Sequence, residues 1–185
     1  MEIREALRSR RSVRRFKAQS IPESIIRDIL SYAPWVPNHH VSEPWRFVAI
    51  TGQSLEELAD LRRDAVLAKR QGQPDGIARA ERARAEFLEA AWVIAVIQKL
   101  DARPDRQKED YASMAMATYN LMLVAWDYHI GSYWNTGPLL TDAAVWQWLN
   151  LSEDERPVAF VRMGYPEIIP VTRRTPIEER LQIKR

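Results

Sequence analysis

Between Tyr111 and Trp126 only Ser113, Thr118 and Asn120 interrupt an otherwise apolar or aromatic run. A helix of that composition has no polar side to turn to water, so it must be buried almost all round. The pattern predicts a helix from about Arg106 to His129, stopped by Gly131. Its alanines let neighbouring helices approach closely, which suits the middle of a bundle or a subunit interface. Any fold for this chain has to be built around that segment. With 185 residues, 46% of them hydrophobic, there is enough apolar surface to bury roughly 70% of what the unfolded chain exposes.

The remaining elements follow from periodicity and punctuation. Glu2 to Leu7 is a short helical pattern with Ile3, Ala6 and Leu7 on one side. Ser20-Ile21-Pro22-Glu23 has the spacing of a capping box, and Ile25, Ile26, Ile29 and Leu30 continue it as the stripe of a helix ending near Ala33-Pro34. The loop from Pro34 to Pro44 holds three prolines, which forbid a continuing helix there. Strands are expected at Trp45 to Thr51, at Ala91 to Ile97 (apolar and β-branched, hence covered on both faces) and at Pro157 to Met163, with a short strand or turn at Ser132 to Asn135. Residues 54–70 and 75–90 read as two amphipathic helices, and residues 141–150 as another, carrying Trp146 and Trp148. The tail from Glu167 is irregular and extended, suited to packing on a partner subunit. Helices and strands alternate with no repeat and no linker, so residues 1–185 are expected to form one α+β domain.

Composition excludes several classes. There is no cysteine, so neither a disulfide framework nor a thiolate metal site is available. No apolar leader and no run of membrane-spanning length occurs, and a soluble, cytoplasmic protein is expected. Of the 27 basic residues only five are lysine, leaving 22 arginines, yet the net charge is +2 because most arginines are interleaved with acids. The six glycines are scattered singly, without G-x-G-x-x-G or G-x-x-x-x-G-K. His39 and His40 are adjacent and His129 is remote, so no metal site is expected. An enzyme with none of these groups must borrow its reactive group from a cofactor.

One block is unbalanced. Arg8-Ser9-Arg10-Arg11-Ser12-Val13-Arg14-Arg15-Phe16 sets five guanidiniums and two hydroxyls within nine residues. Arginine presents a rigid planar fork of donors, so two or three at a chain turn can grip a phosphate bidentately, with Ser12 adding a hydroxyl.

Arg10-Arg11-Ser12-Val13-Arg14-Arg15-Phe16, then Pro22 and a helix, then Ala33-Pro34, Asn38 and Glu43-Pro44-Trp45-Arg46-Phe47, resembles the start of the FMN-dependent nitroreductase family, in its short, single-domain branch. Trp134-Asn135-Thr136-Gly137-Pro138, Gly164-Tyr165-Pro166 and the tail arginines follow in family order over nearly the whole chain. The resemblance implies an α+β nitroreductase-like fold with a central, mostly antiparallel sheet flanked by helices, as an intertwined homodimer with two FMN at the interface. It implies that Arg10 and Ser12 hold the FMN phosphate and ribityl chain, that Arg11 reaches the pyrimidine edge, and that Arg173 or Arg174 adds a phosphate contact. Trp134, Asn135 and Thr136 would run beside the ring, with Trp35, Asn38 and His39 approaching from the second subunit. Arg14 and Arg15 read as surface or salt-bridge residues, and Trp45 as core.

The implied reaction moves a hydride from NAD(P)H through the flavin to a small-molecule acceptor such as a nitroaromatic or quinone. Other flavin reactions on the same scaffold, dehalogenation or flavin breakdown, are the alternatives within enzymes, with residues 54–90 deciding between them. Outside them, the basic block with seven tryptophans would bind a nucleic-acid backbone and stack bases.

Overall fold

The apolar stretch after Ala91 is the centre of the sheet. In the computed structural model, which describes residues 1–185, it forms β2 (Trp92–Lys99), with Val93, Ala95 and Ile97 on one face and Ile94 and Val96 on the other, all fully buried. It pairs antiparallel with β1 (Trp45–Ile50) on one side and β4 (Glu155–Gly164) on the other, and β4 pairs antiparallel with β3 (Gly131–Asn135). The order β1-β2-β4-β3 leaves β3 as one edge of an open, fully antiparallel sheet. The β2–β4 register shifts between Val96 and Ile97, where Pro157 lies. A proline in a central strand is tolerated at such a bulge because no ladder bond is needed there.

Helices cover both faces. On one side α3 (Gln53–Lys69), α4 (Gly76–Leu88) and α6 (Ala143–Trp148) bring Leu55, Leu58, Phe87, Val145 and Leu149 against Phe160. On the other, α2 (Glu23–Ser31) and α5 (Pro104–Asp127) bring Ile26, Ile29, Met114, Leu121 and Met122 against Val161 and Met163. The short α1 (Ile3–Ser9) lies against α5. This is the expected α+β class. No helix is long and apolar enough to cross a membrane.

Two local readings are corrected. The capping box does not form: Pro22 stands at the N-cap of α2, which leaves Ser20 outside the first turn, and Glu23 accepts from Arg27 Nε at 2.7 Å instead of reaching back. The long helix is not buried all round in one chain. Tyr111, Ala112 and Met116 stay exposed, and Ala115, Tyr119, Asn120 and Leu123 are half-buried, so one stripe of α5 remains open beside residues that are fully enclosed.

The arginine block is laid along the sheet edge beyond β3. Ser12 bridges to Ser132, and Val13 N–H donates to Ser132 O at 2.9 Å. Phe16 bridges to Pro166, and Lys17 N–H donates to Tyr165 O at 2.9 Å. Two glycines opposite one another in the β3–β4 register, Gly131 and Gly164, make this close approach possible. A Cβ on Gly131 would sit 2.8 Å from Val13 Cβ, and one on Gly164 2.8 Å from Phe16 Cβ.

Candidate functional site

Because residues 12–16 are tied to the edge strand, the arginine block borders a cleft of about 550 Å³ lined by Ser12, Arg14, Arg15, Tyr133, Trp134, Ile168 and Pro170. The volume falls within the range of ligand pockets, and the lining mixes aromatic faces with cations and one hydroxyl. Arg15 is engaged, with its Nε 3.1 Å from Glu89 and 3.7 Å from Glu167. Arg14 has no acidic partner; its guanidinium carbon lies 5.1 Å from the centre of the Tyr133 ring.

Arg10 lies close by in sequence but faces α5, with its guanidinium carbon 5.4 Å from the centre of the Tyr119 ring. Its Nε and Nη1 are shielded from solvent and have no hydrogen-bond partner, and the buried Ser132 Oγ, on the residue bridged to Ser12, has none either. Buried donors left open in this way cost stability unless something accepts from them. An anionic, oxygen-rich group reaching Arg10 or Ser132 would satisfy them.

Other predicted residues lie differently. Arg11 folds back, its Nη1 donating to Arg8 O at 2.6 Å and Arg10 O at 2.9 Å. Trp134 lines the cleft, while Asn135 Oδ1 accepts from Arg162 Nε at 2.8 Å, and Thr136 is exposed just beyond the strand. Arg173 and Arg174 sit in the exposed tail, outside the cleft. Trp35 is 81% exposed at the end of its loop. Asn38 is the brace of that loop: its amide donates to Ser42 Oγ (3.0 Å) and Ser113 Oγ (3.2 Å), and its Oδ1 accepts from Glu43 N–H (2.8 Å). His39 Nδ1 lies 2.7 Å from Glu109 Oε2, and its ring stacks on His40 at 3.8 Å. Ligand atoms of His39, His40 and Glu109 come within 4.8 Å of one another, all exposed, but stacked imidazoles direct their lone pairs side by side rather than at one point.

Of the sequence-predicted residues, then, one chain gathers Ser12 and Trp134 at the cleft and leaves Arg10, which faces Tyr119 of α5, and Trp35, Asn38, His39, Arg173 and Arg174 outside its lining. Sequence reasoning missed Arg14 as a cleft residue, as well as Tyr133, Ser132 and Arg162. Arg162 had a signal: it is the one charge inside the apolar run from Pro157 to Met163. The tryptophans form no exposed stacking row, since Trp92, Trp126, Trp146 and Trp148 each donate their indole N–H within the fold.

The sequence profile of the nitroreductase family matches residues 7–165. The Bacillus subtilis protein YfhC, named for NAD(P)H nitroreductase activity, is 32% identical over 180 residues, covering 96% of this chain and 92% of its own length. A nitroreductase-like family protein from Bacillus cereus superposes with a TM-score of 0.86 at 29% identity, over 100% of this chain and 96% of the other. A nitroreductase-type protein from Desulfovibrio desulfuricans, solved in complex with FMN, superposes with a TM-score of 0.78 at 22% identity, over 100% and 98% of the two chains.

Proposed function

This chain belongs to the nitroreductase family, and from that premise we propose that it is an FMN-dependent oxidoreductase acting in the cytoplasm, which takes a hydride from NAD(P)H and passes it to a nitroaromatic, quinone or similar acceptor. The observation that carries the cofactor is that Arg10 Nε and Nη1, and Ser132 Oγ on the residue bridged to Ser12, are buried without partners. Those donors fit a phosphate and the hydroxyls of a ribityl chain, and the aromatic cleft next to them fits a planar ring.

FMN, when bound, supplies the hydride chemistry. The chain's own residues bind and orient. Arg10 and Ser12 hold the phosphate end; Tyr133 and Trp134 wall the ring. Arg14, which the cleft exposes, takes the role that sequence reasoning gave to Arg11: a permanent cation that favours negative charge gathering on the ring. Arg11, bonded to its own backbone, shapes the turn. Catalysis comes mainly from holding donor and acceptor in turn against one face.

A second copy of the chain completes the site in this reading. The open stripe of α5 and a groove of about 440 Å³ lined by Ile3, Tyr32, Trp35, Leu123 and Tyr128 are apolar and uncovered. The tail exposes Ile168, Val171, Ile177, Leu181 and Ile183. Each is the kind of exposed apolar surface that a subunit interface covers. Trp35, Asn38 and His39, presented by a braced loop away from their own cleft, would then meet the partner's.

The test is spectroscopic. Purified protein should carry, or take up, FMN with visible flavin absorbance, bleach on addition of NADH or NADPH, and recover colour with a nitroaromatic or quinone. Sedimentation should give a dimer. A colourless monomer that refuses micromolar FMN would overturn the reading.

A further inference from the structure

Arg162 is 1% exposed near the C-terminal end of β4, yet no carboxylate lies within ion-pair distance of it. Its Nε donates to Asn135 Oδ1 at 2.8 Å and its Nη1 to the backbone carbonyl of Glu86. Its guanidinium carbon lies 5.7 Å from the centre of Phe87, 5.8 Å from Phe16 and 5.1 Å from Tyr133. Phe87 is shared with a second cation, Arg62, at 5.9 Å, whose Nε and Nη1 are buried without partners. Tyr133 is shared with Arg14, at 5.1 Å. Three guanidiniums are thus threaded by two aromatic rings from α3 to the cleft.

The acids nearby make their ion pairs with other arginines, the Glu86 carboxylate with Arg82 at 3.6 Å and that of Glu89 with Arg15 at 3.1 Å, and act on Arg162 only through space. Burial pulls the Arg162 and Arg62 guanidiniums below their ordinary value, and Glu86 opposes it. Arginine nevertheless keeps its proton near neutrality. Unpaired buried charge is costly and is retained where something compensates it or uses it.

We propose that Arg162, with Arg62 behind it, is a positioning residue that holds buried positive charge without a direct carboxylate partner beneath the cleft and so biases it toward occupants and redox states that carry more negative charge. Its bond to Asn135 fixes the end of the edge strand, and its stacking on Tyr133 fixes the wall against which Arg14 rests. Both guanidiniums being 5.1 Å from one ring, a charge seated where Arg14 lies is at most about 10 Å from Arg162. At an effective dielectric of about 20, that separation changes an equilibrium about tenfold. The inference rests on the FMN reading above.

The experiment compares the midpoint potential of bound FMN in the wild type, Arg162→Lys, Arg162→Met and Arg62→Met, with thermal melts run alongside. Arg162→Met should weaken the preference for reduced over oxidised FMN about tenfold, a potential about 30 mV lower for a two-electron couple. Arg162→Lys, which keeps charge but loses the fork, should retain most of the wild-type value. Arg62→Met should shift the same way by about threefold. An unmoved potential in Arg162→Met, or in Arg62→Met should the former not fold, overturns the inference while the functional reading stands. Equal falls in the Lys and Met variants would make Arg162 only a hydrogen-bond donor and also overturn it. A wild type that takes up no FMN overturns the functional reading itself, and this inference with it.

Discussion

Replacing Gly131 with alanine tests how the arginine block is held. The added Cβ would lie 2.8 Å from Val13 Cβ and Cγ2 and 3.0 Å from Pro166 Cγ, where carbon atoms prefer about 3.5–4.0 Å. None of these atoms is the far end of a flexible side chain, so the segment carrying Val13 must move out by roughly 0.7–1 Å. Its anchor is the Val13 N–H bond to Ser132 O at 2.9 Å, which would stretch past the distance of a working hydrogen bond. Overpacking of about 1–3 kcal/mol and one lost bond of about 0.5–1.5 kcal/mol sum to about 1.5–4.5 kcal/mol. For a chain of this size that is about 5–15 °C in Tm. Because Ser12 and Arg10 ride on the displaced segment, FMN affinity should fall with stability. Urea unfolding at matched protein concentration, paired with flavin-fluorescence titration of the apoprotein, measures both. A Gly131→Ala protein within about 0.5 kcal/mol of wild type and with undiminished FMN affinity would refute the argument that this glycine seats the block.

Arg10→Ala removes charge-assisted bonds of about 1.5–3 kcal/mol, so it should weaken FMN binding between about ten- and a hundredfold, read by the same titration, while Arg11→Ala leaves affinity within about threefold. Glu155 accepts from Arg46 at 2.7 and 2.9 Å, which holds its carboxyl below the ordinary 4.5. Since the folded-state value is the lower, the pair stabilises the fold above that pH and stops doing so as pH falls through the folded-state value. Glu155→Gln should therefore be less stable than wild type at neutral pH, with the gap in urea midpoints closing in acid. Asn38→Ala breaks the brace to Ser42, Ser113 and the Glu43 amide; the Glu43 N–H should exchange with deuterium faster, and overall stability should fall by about 1–3 kcal/mol.

The sequence by itself determined the elements and their class. Every strand and every α-helix lies within a few residues of where periodicity puts it, because a two-residue or 3.6-residue repeat is a local property that any folded context must respect. Ala91 to Ile97 has the pattern of a strand covered on both faces, and the prolines from Pro34 onward bar a continuing helix. The arginine block stands out because no balancing acids lie within it.

Tertiary structure alone decided which of those arginines face what. Arg10, Arg11, Arg14 and Arg15 are equivalent in composition, but the path of residues 12–16 from Ser132 of β3 to Pro166 past the end of β4 leaves Arg14 at the cleft, Arg15 against Glu89 and Arg11 bonded back onto its own backbone. Asn38 reads as a polar loop residue free to reach a ligand, and only the fold brings Ser113 of α5, 75 residues away, to take its amide. The Arg62–Phe87–Arg162–Tyr133–Arg14 series joins α3, α4, β4, β3 and the N-terminal segment, and no local pattern contains it. Side-chain partners that lie far apart in sequence are set by the sheet register and helix packing, which depend on the whole chain at once.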